Sequence, residues 1–161
     1  MESGAPQTGR ALHRRNVAAV IPAYHEEVHV RAVAERICAQ LDHVVVVDDG
    51  SSDATAARAR QGGAEVIVHP ENRGKGDAIK SGLRHWLACP EIEFILLLDA
   101  DGQHLPEEIG LFFAAAAASD AGLFVGTRMN DVREMPFVRR AVNRYMSDRI
   151  SRLCGQKVPD T

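Results

Sequence analysis

Three short segments of this 161-residue chain concentrate side chains able to do chemistry: Pro22-Ala23-Tyr24-His25-Glu26-Glu27, Asp48-Asp49-Gly50-Ser51-Ser52-Asp53 and Asp99-Ala100-Asp101-Gly102-Gln103-His104. In an extended segment, side chains at i and i+2 point the same way and lie roughly 6.5 to 7 Å apart at Cα, so Asp99 and Asp101 can face one cation. Carboxylates suit Mg²⁺ or Mn²⁺, ions that keep positions open for water and phosphate oxygens. A departing diphosphate gathers negative charge, and a bridging cation stabilises that charge without a proton transfer. Paired acids at a strand end can equally cap the following helix, and Asp-x-Asp alone does not separate the two readings. A second acidic pair, Asp48-Asp49, at the end of another strand is explained by neither a cap nor a solvated loop.

Other candidates read more plainly. Gly74-Lys75-Gly76 resembles a phosphate loop but lacks the Walker spacing, so Lys75 fits a lysine over a diphosphate or a solvated one equally. The seven histidines have no metal-ligand spacing; His43 and His85 read as surface or core, while His104 lies nearer the acidic edge. Trp86 sits in a helical apolar stripe, which favours packing over stacking on a base. Cys38, Cys89 and Cys154 are an odd count without paired spacing, as expected of core thiols in a reducing cytoplasm.

The elements that must hold these loops follow from periodicity. Val17 to Ala23 and the four consecutive valines Val44 to Val47 read as buried strands, with Ala64 to Val68 and Phe94 to Leu98 as two more. Val30, Val33, Ile37 and Leu41 recur at helical spacing behind Glu26 and Glu27, which the pattern places in a helix's first turn. Asp53 is positioned to cap a second helix ending at Gly62-Gly63. Ala78, Ile79, Gly82, Leu83 and Trp86 form a third stripe, and Leu105-Pro106-Glu107-Glu108 opens a fourth helix containing the Ala114 to Ala118 run. Gly122 to Val125 reads as a final strand. Alternation of this kind predicts an α/β fold, a mostly parallel sheet with helices on both faces and ligands at the carboxyl ends of the strands.

A composition of 45% hydrophobic and 25% charged residues fits one globular domain. No apolar run approaches the roughly 20 residues of a membrane helix, and Met1 to Arg15 lacks the apolar stretch of a secretory signal. The expected organisation is a flexible tail at 1–15, an α/β body at 16–127 and a basic helical segment at 128–161. Arg128 to Arg152 holds seven arginines against three acids, whereas the first 127 residues carry −7. Either the basic segment meets an anionic partner or it is a solvated helix face.

Taken together, VIPAYHEE (Val20 to Glu27), VVVVDDGSSDAT (Val44 to Thr55), NRGKGDAIKSG (Asn72 to Gly82), LLLDADGQH (Leu96 to His104) and VGTR (Val125 to Arg128) resemble the GT-A fold, family-two glycosyltransferases, most closely the dolichyl- and polyprenyl-phosphate mannose synthase branch. The resemblance implies a cytoplasmic enzyme, at most peripheral at the membrane's inner face, that transfers a hexose with inversion from a GDP-mannose or UDP-glucose type donor to a lipid phosphate, with Mg²⁺ or Mn²⁺ and no nucleic acid. By the same resemblance, Pro22, Ala23, Tyr24 and Glu26 line the nucleotide pocket, and Val47 and Asp49 read the base edge. Asp99, Ala100 and Asp101 hold ribose, metal and diphosphate, with Gln103 a further metal or phosphate contact and Lys75 over the diphosphate. Asp99, Asp101 and Arg128 are then the catalytic set, and Arg128, Arg139 and Arg140 meet the acceptor phosphate, within a helix expected from Phe137 to Leu153. Arginine suits planar, bidentate phosphate binding. A phosphate acceptor is already ionised at neutral pH and needs no general base.

Two departures from the family pattern stand out. His25 occupies a position where relatives most often have Asn, and the chain ends at Thr161, some tens of residues before such domains usually finish, as expected of a truncated form. A non-catalytic nucleotide-sugar- or partner-binding module therefore remains an alternative. A phosphatase using Asp99 as nucleophile would need its motif on the first strand and a Thr where Gln103 stands, and a dinucleotide-binding dehydrogenase would need Gly-x-Gly-x-x-Gly after the first strand.

Overall fold

The computed structural model of the chain describes residues 12–102, 109–119, 121–124 and 126. Among these residues four strands, β1 (Val17–Ala23), β2 (His43–Asp48), β3 (Glu65–Val68) and β4 (Phe94–Leu97), alternate with α1 (Val30–Cys38), α2 (Thr55–Gln61), α3 (Lys75–Leu87) and α4 (Ile109–Ala117). All pairings are parallel, in the order β3-β2-β1-β4. β1 is central, and all seven of its residues are buried, which is why its sequence is a continuous apolar run instead of an alternation. The edge strands β3 and β4 are only partly covered.

Successive side chains of β1 and β2 feed two separate cores. Ala19, Ile21, Val44 and Val46 pack with Val33, Ala34 and Ile37 of α1, Ala59 of α2 and Ile109 of α4. Ala18, Val20, Val45 and Val47 pack on the other face with Ala78 and Trp86 of α3. Helices thus cover both faces, as the alternation predicts. α3 lies close against β1: a Cβ on Gly82 would come within 2.3 Å of Val20 Cγ1. Trp86 is a packing residue, 3% exposed, its indole N–H donating to the Ala19 carbonyl at 3.0 Å.

The structure revises several expected boundaries. Glu26 and Glu27 precede α1 and do not form its first turn. The reason is tertiary: the Glu26 N–H donates to Thr55 Oγ1 at 2.9 Å and Glu27 Oε2 accepts the Ala54 N–H at 3.0 Å, so both are tied to the start of α2. Leu41 lies beyond the end of α1 yet is 1% exposed. The N-cap position of α2 is Ala54, not Asp53, but Asp53 Oδ1 accepts the N–H and the hydroxyl of Thr55 at 3.0 and 2.5 Å and so satisfies the helix's first donor. Gly63, at φ 90°, takes the left-handed conformation that ends the segment. Gly122 to Phe124 is not strand; Leu123 is 78% exposed, and so short a segment becomes strand only when a sheet edge pairs with it.

The chain divides into two compact units, Met1–Asp120 and Ala121–Thr161. The described sheet and helices belong to the first. The expected basic helix, with Arg128, Arg139 and Arg140, lies outside the described residues, as do Gln103, His104, Leu105 to Glu108 and Cys154. Among the described residues, no helix is long and apolar enough to cross a membrane.

Candidate active site

The chain runs from β1 to β2 to β3 in one direction and then places β4 on the other side of β1. Loops therefore part at the carboxyl ends of β1 and β4, the kind of switch point where open α/β sheets bind ligands. A cleft of roughly 310 Å³ opens there, within the range of small-molecule sites. Pro22, Ala23, Tyr24 and Glu26 form one side of its lining, Asp49 and Asn72 another, and Lys75, Ala78, Asp99, Ala100 and Asp101 complete it.

On the β1 side, Tyr24 is 45% exposed and its ring stacks on His25, centroids 4.1 Å apart at 25°. His25 has φ 55°, a left-handed conformation that Asn adopts more readily than most residues. Its N–H donates to Ser51 Oγ at 3.0 Å, and its Nε2 accepts the Ser52 N–H at 3.2 Å. These bonds join the β1–α1 loop to the β2–α2 loop.

Asp49 is 2% exposed. His69 Nδ1–H donates to its Oδ1 at 2.6 Å, Arg73 N–H bridges both oxygens at 3.1 and 3.2 Å, and Gly74 N–H reaches Oδ2 at 2.7 Å. Burial pushes this carboxyl up, but the donors outweigh it and hold the group below the usual carboxylate value. His69 is itself buried, with Nε2 2.9 Å from Ser81 Oγ of α3. Gly50 makes the approach possible: a Cβ there would lie 2.4 Å from the Glu71 carbonyl carbon, and its φ of 74° favours glycine. Asp48, also 2% exposed, accepts the Ser51 N–H at 3.0 Å and turns the same loop.

Asp99 and Asp101 share the cleft, but not along an extended strand. β4 ends at Leu97, Ala100 and Asp101 form a turn, and Gly102 has φ 74°. Ala100 is 3% exposed and roots the turn in the core. Lys75 opens α3 instead of riding in a loop, and its Nζ lies 2.6 Å from Asp99 Oδ1. Lys75 and Ala78 of the first turn of α3 line this cleft, so the partial positive charge of the helix's amino-terminal end borders it, a suitable seat for a diphosphate.

The donor set fits a divalent cation of the Mg²⁺ or Mn²⁺ kind. Two carboxylates face one open cleft, and such ions commonly complete their shells with phosphate oxygens and water. Among the described residues no cluster of three possible ligand side chains forms.

Nine of the eleven residues expected to bind a nucleotide sugar line the cleft. Val47 does not: it is 0% exposed and packs beneath with Val45 and Ala78, so it cannot touch a base edge without unpacking the core. Gln103 lies outside the described residues. Sequence reasoning missed Asn72 and Ala78 in the lining and His69 behind Asp49. The signal for His69 was its place at the end of a strand beside Asn72-Arg73-Gly74-Lys75, not any spacing to another ligand. Cys38 packs against the core and burial pushes its thiol up, which leaves it a resting thiol.

A parallel sheet wrapped by helices, with an acidic pair at the switch point, has the architecture of the GT-A fold. The family profile described as "Glycosyl transferase family 2" matches residues 18–161, and the chain belongs to that family. It is 32% identical over 156 residues to the undecaprenyl-phosphate 4-deoxy-4-formamido-L-arabinose transferase of Edwardsiella ictaluri, covering 89% of this chain and 46% of that protein. It is 30% identical to the polyprenol monophosphomannose synthase of Mycolicibacterium smegmatis, covering 99% of this chain and 64% of that one. Glucosyl-3-phosphoglycerate synthase from Mycobacterium tuberculosis, solved in complex with Mn²⁺ and UDP-glucose, superposes with a TM-score of 0.54 at 26% identity, covering 66% of this chain and 40% of that one. The chain thus spans about half the length of the curated relatives it matches.

Proposed function

We propose that this chain binds a nucleoside-diphosphate hexose and a divalent cation, and serves as the donor side of an inverting glycosyltransferase whose acceptor is a polyprenyl or dolichyl phosphate. The carrying observation is the convergence of Tyr24, Asp49, Lys75, Asp99 and Asp101 on one cleft at the switch point of the sheet. Tyr24 offers an aromatic face for a base, and the loop organised by Asp49 supplies Asn72 beside it. Asp99 and Asp101, with Gln103, would hold Mg²⁺ or Mn²⁺, which when bound supplies charge stabilisation to the departing diphosphate. Lys75 and the α3 N-terminus face the same anionic group. Arg128, Arg139 and Arg140 are assigned to the acceptor phosphate, whose ionised oxygen needs no protein base. The named lipid-phosphate relatives support that acceptor class, and a peripheral place at the inner face of the membrane follows from it.

Calorimetric titration of the chain with GDP, UDP, GDP-mannose and UDP-glucose, with and without Mn²⁺ or Mg²⁺, tests the reading. One nucleotide is expected to bind at about micromolar Kd, near 8 kcal/mol, with binding lost on chelation and in an Asp99→Asn, Asp101→Asn double variant. Metal-dependent binding that survives both substitutions would remove the site assignment.

A further inference from the structure

The ion pair between Lys75 and Asp99 puts a protein cation on a carboxylate that the proposed function gives to a metal. Nζ lies 2.6 Å from Oδ1, with the two side chains 62% and 38% exposed. The ammonium is anchored at its backbone, because Lys75 is the first residue of α3 and the preceding N–H groups of Arg73 and Gly74 are held by Asp49. Asp49 is fixed in turn by His69, and His69 by Ser81 from the next turns of the same helix. The Lys75 stem thus starts from a clamped point, and its ammonium can reach either the carboxylate or an anion seated at the helix N-terminus.

We infer that Lys75 is a positioning residue that competes with the divalent cation for Asp99 and gives way when a diphosphate arrives to take the ammonium. The inference rests on the nucleotide-sugar reading of this cleft. Two cations close to one carboxylate oxygen repel each other, so a metal entering alone must displace the lysine. A diphosphate offers that lysine a stronger anionic partner and brings oxygens to the metal as well. Metal and diphosphate therefore favour each other, and by linkage each raises the other's affinity by the same factor. The lysine keeps the cleft from filling with metal alone and couples the cation to the donor.

The test compares the full chain with its Lys75→Met variant, which keeps the aliphatic stem and removes the charge. Mn²⁺ binding is read by electron paramagnetic resonance, first with no nucleotide and then with saturating GDP or UDP; circular dichroism checks that both chains are folded. An exposed pair of this kind is worth little, so the expected gain is modest: Lys75→Met binds Mn²⁺ alone roughly two- to five-fold more tightly. In the same variant the tightening of Mn²⁺ by nucleoside diphosphate shrinks, while Lys75→Arg, which keeps a cation, retains it. Equal or weaker binding of Mn²⁺ alone by folded Lys75→Met overturns the inference, as does the absence of Mn²⁺ binding by either chain. Failure of the nucleotide reading is distinguishable, since wild type would then bind Mn²⁺ but no nucleoside diphosphate, and the metal-only comparison would still decide whether Lys75 competes for Asp99.

Discussion

Asp49 joins the chemistry of the cleft to the stability of the fold. Its carboxyl is held below the ordinary value of 3.8 by His69, Arg73 and Gly74 despite burial. A carboxyl depressed in the folded state stabilises that state above its unfolded value, and the contribution is lost as pH falls through the folded value. Asp49→Asn is therefore expected to cost about 1–3 kcal/mol at neutral pH, with the penalty shrinking below about pH 4. Urea unfolding of wild type and variant at pH 7 and pH 3 reads this, and an equal penalty at both would assign the effect to shape and not to charge. The acids of the cleft were legible because their types and spacing are local; His69 was not, because its partner lies 20 residues away and a single histidine has no pattern.

Elements meet in this molecule through small residues and buried hydroxyls. Gly82 lets α3 sit on β1, and Gly82→Ala would drive a methyl to 2.3 Å from Val20 Cγ1. Overpacking of this kind costs about 1–3 kcal/mol, measurable as a lower midpoint of chemical denaturation. Thr55, 0% exposed, passes a hydrogen bond from the Glu26 N–H to Asp53. Thr55→Val keeps the shape and leaves the part-buried Glu26 N–H without its acceptor, an expected loss of about 1 kcal/mol. It also frees the Tyr24 loop, so nucleotide affinity should fall in the same variant when titrated by calorimetry. The same contact explains the misread start of α1: periodicity alone extends the helix back through Glu26 and Glu27, while the tie to Thr55 and Ala54 holds both residues out of it.

Over the whole molecule, the single tryptophan offers a global probe. Trp86 is buried and lies eleven residues along α3 from Lys75, roughly 16 Å at the rise of a helix. Its emission should report unfolding without direct contact to a bound donor. Ligand that binds only the folded chain raises stability by about 2.7 kcal/mol at a hundred times its Kd. Mn²⁺ with the preferred nucleoside diphosphate should therefore raise the Trp86 unfolding midpoint, and chelation should reverse the shift. A midpoint indifferent to both at saturating concentrations would mean that the folded chain does not hold the donor.

The sequence by itself determined the alternation of strands and helices, the burial of β1 and β2 and the placing of three loaded loops on one edge. Each of these is written in periodicity and residue type over a few adjacent positions. The tertiary structure decided which loops face each other. β4 lies beside β1 and not beside β3, and this opens the cleft between Tyr24 and the Asp99–Asp101 turn. It also decided that Val47 belongs to the core, that Asp49 organises the β3–α3 loop, and that Lys75 reaches Asp99 from 24 residues away. Strand order and side-chain partnership arise from packing between distant segments, and the local pattern of a single chain carries no record of which distant segment will pack against it.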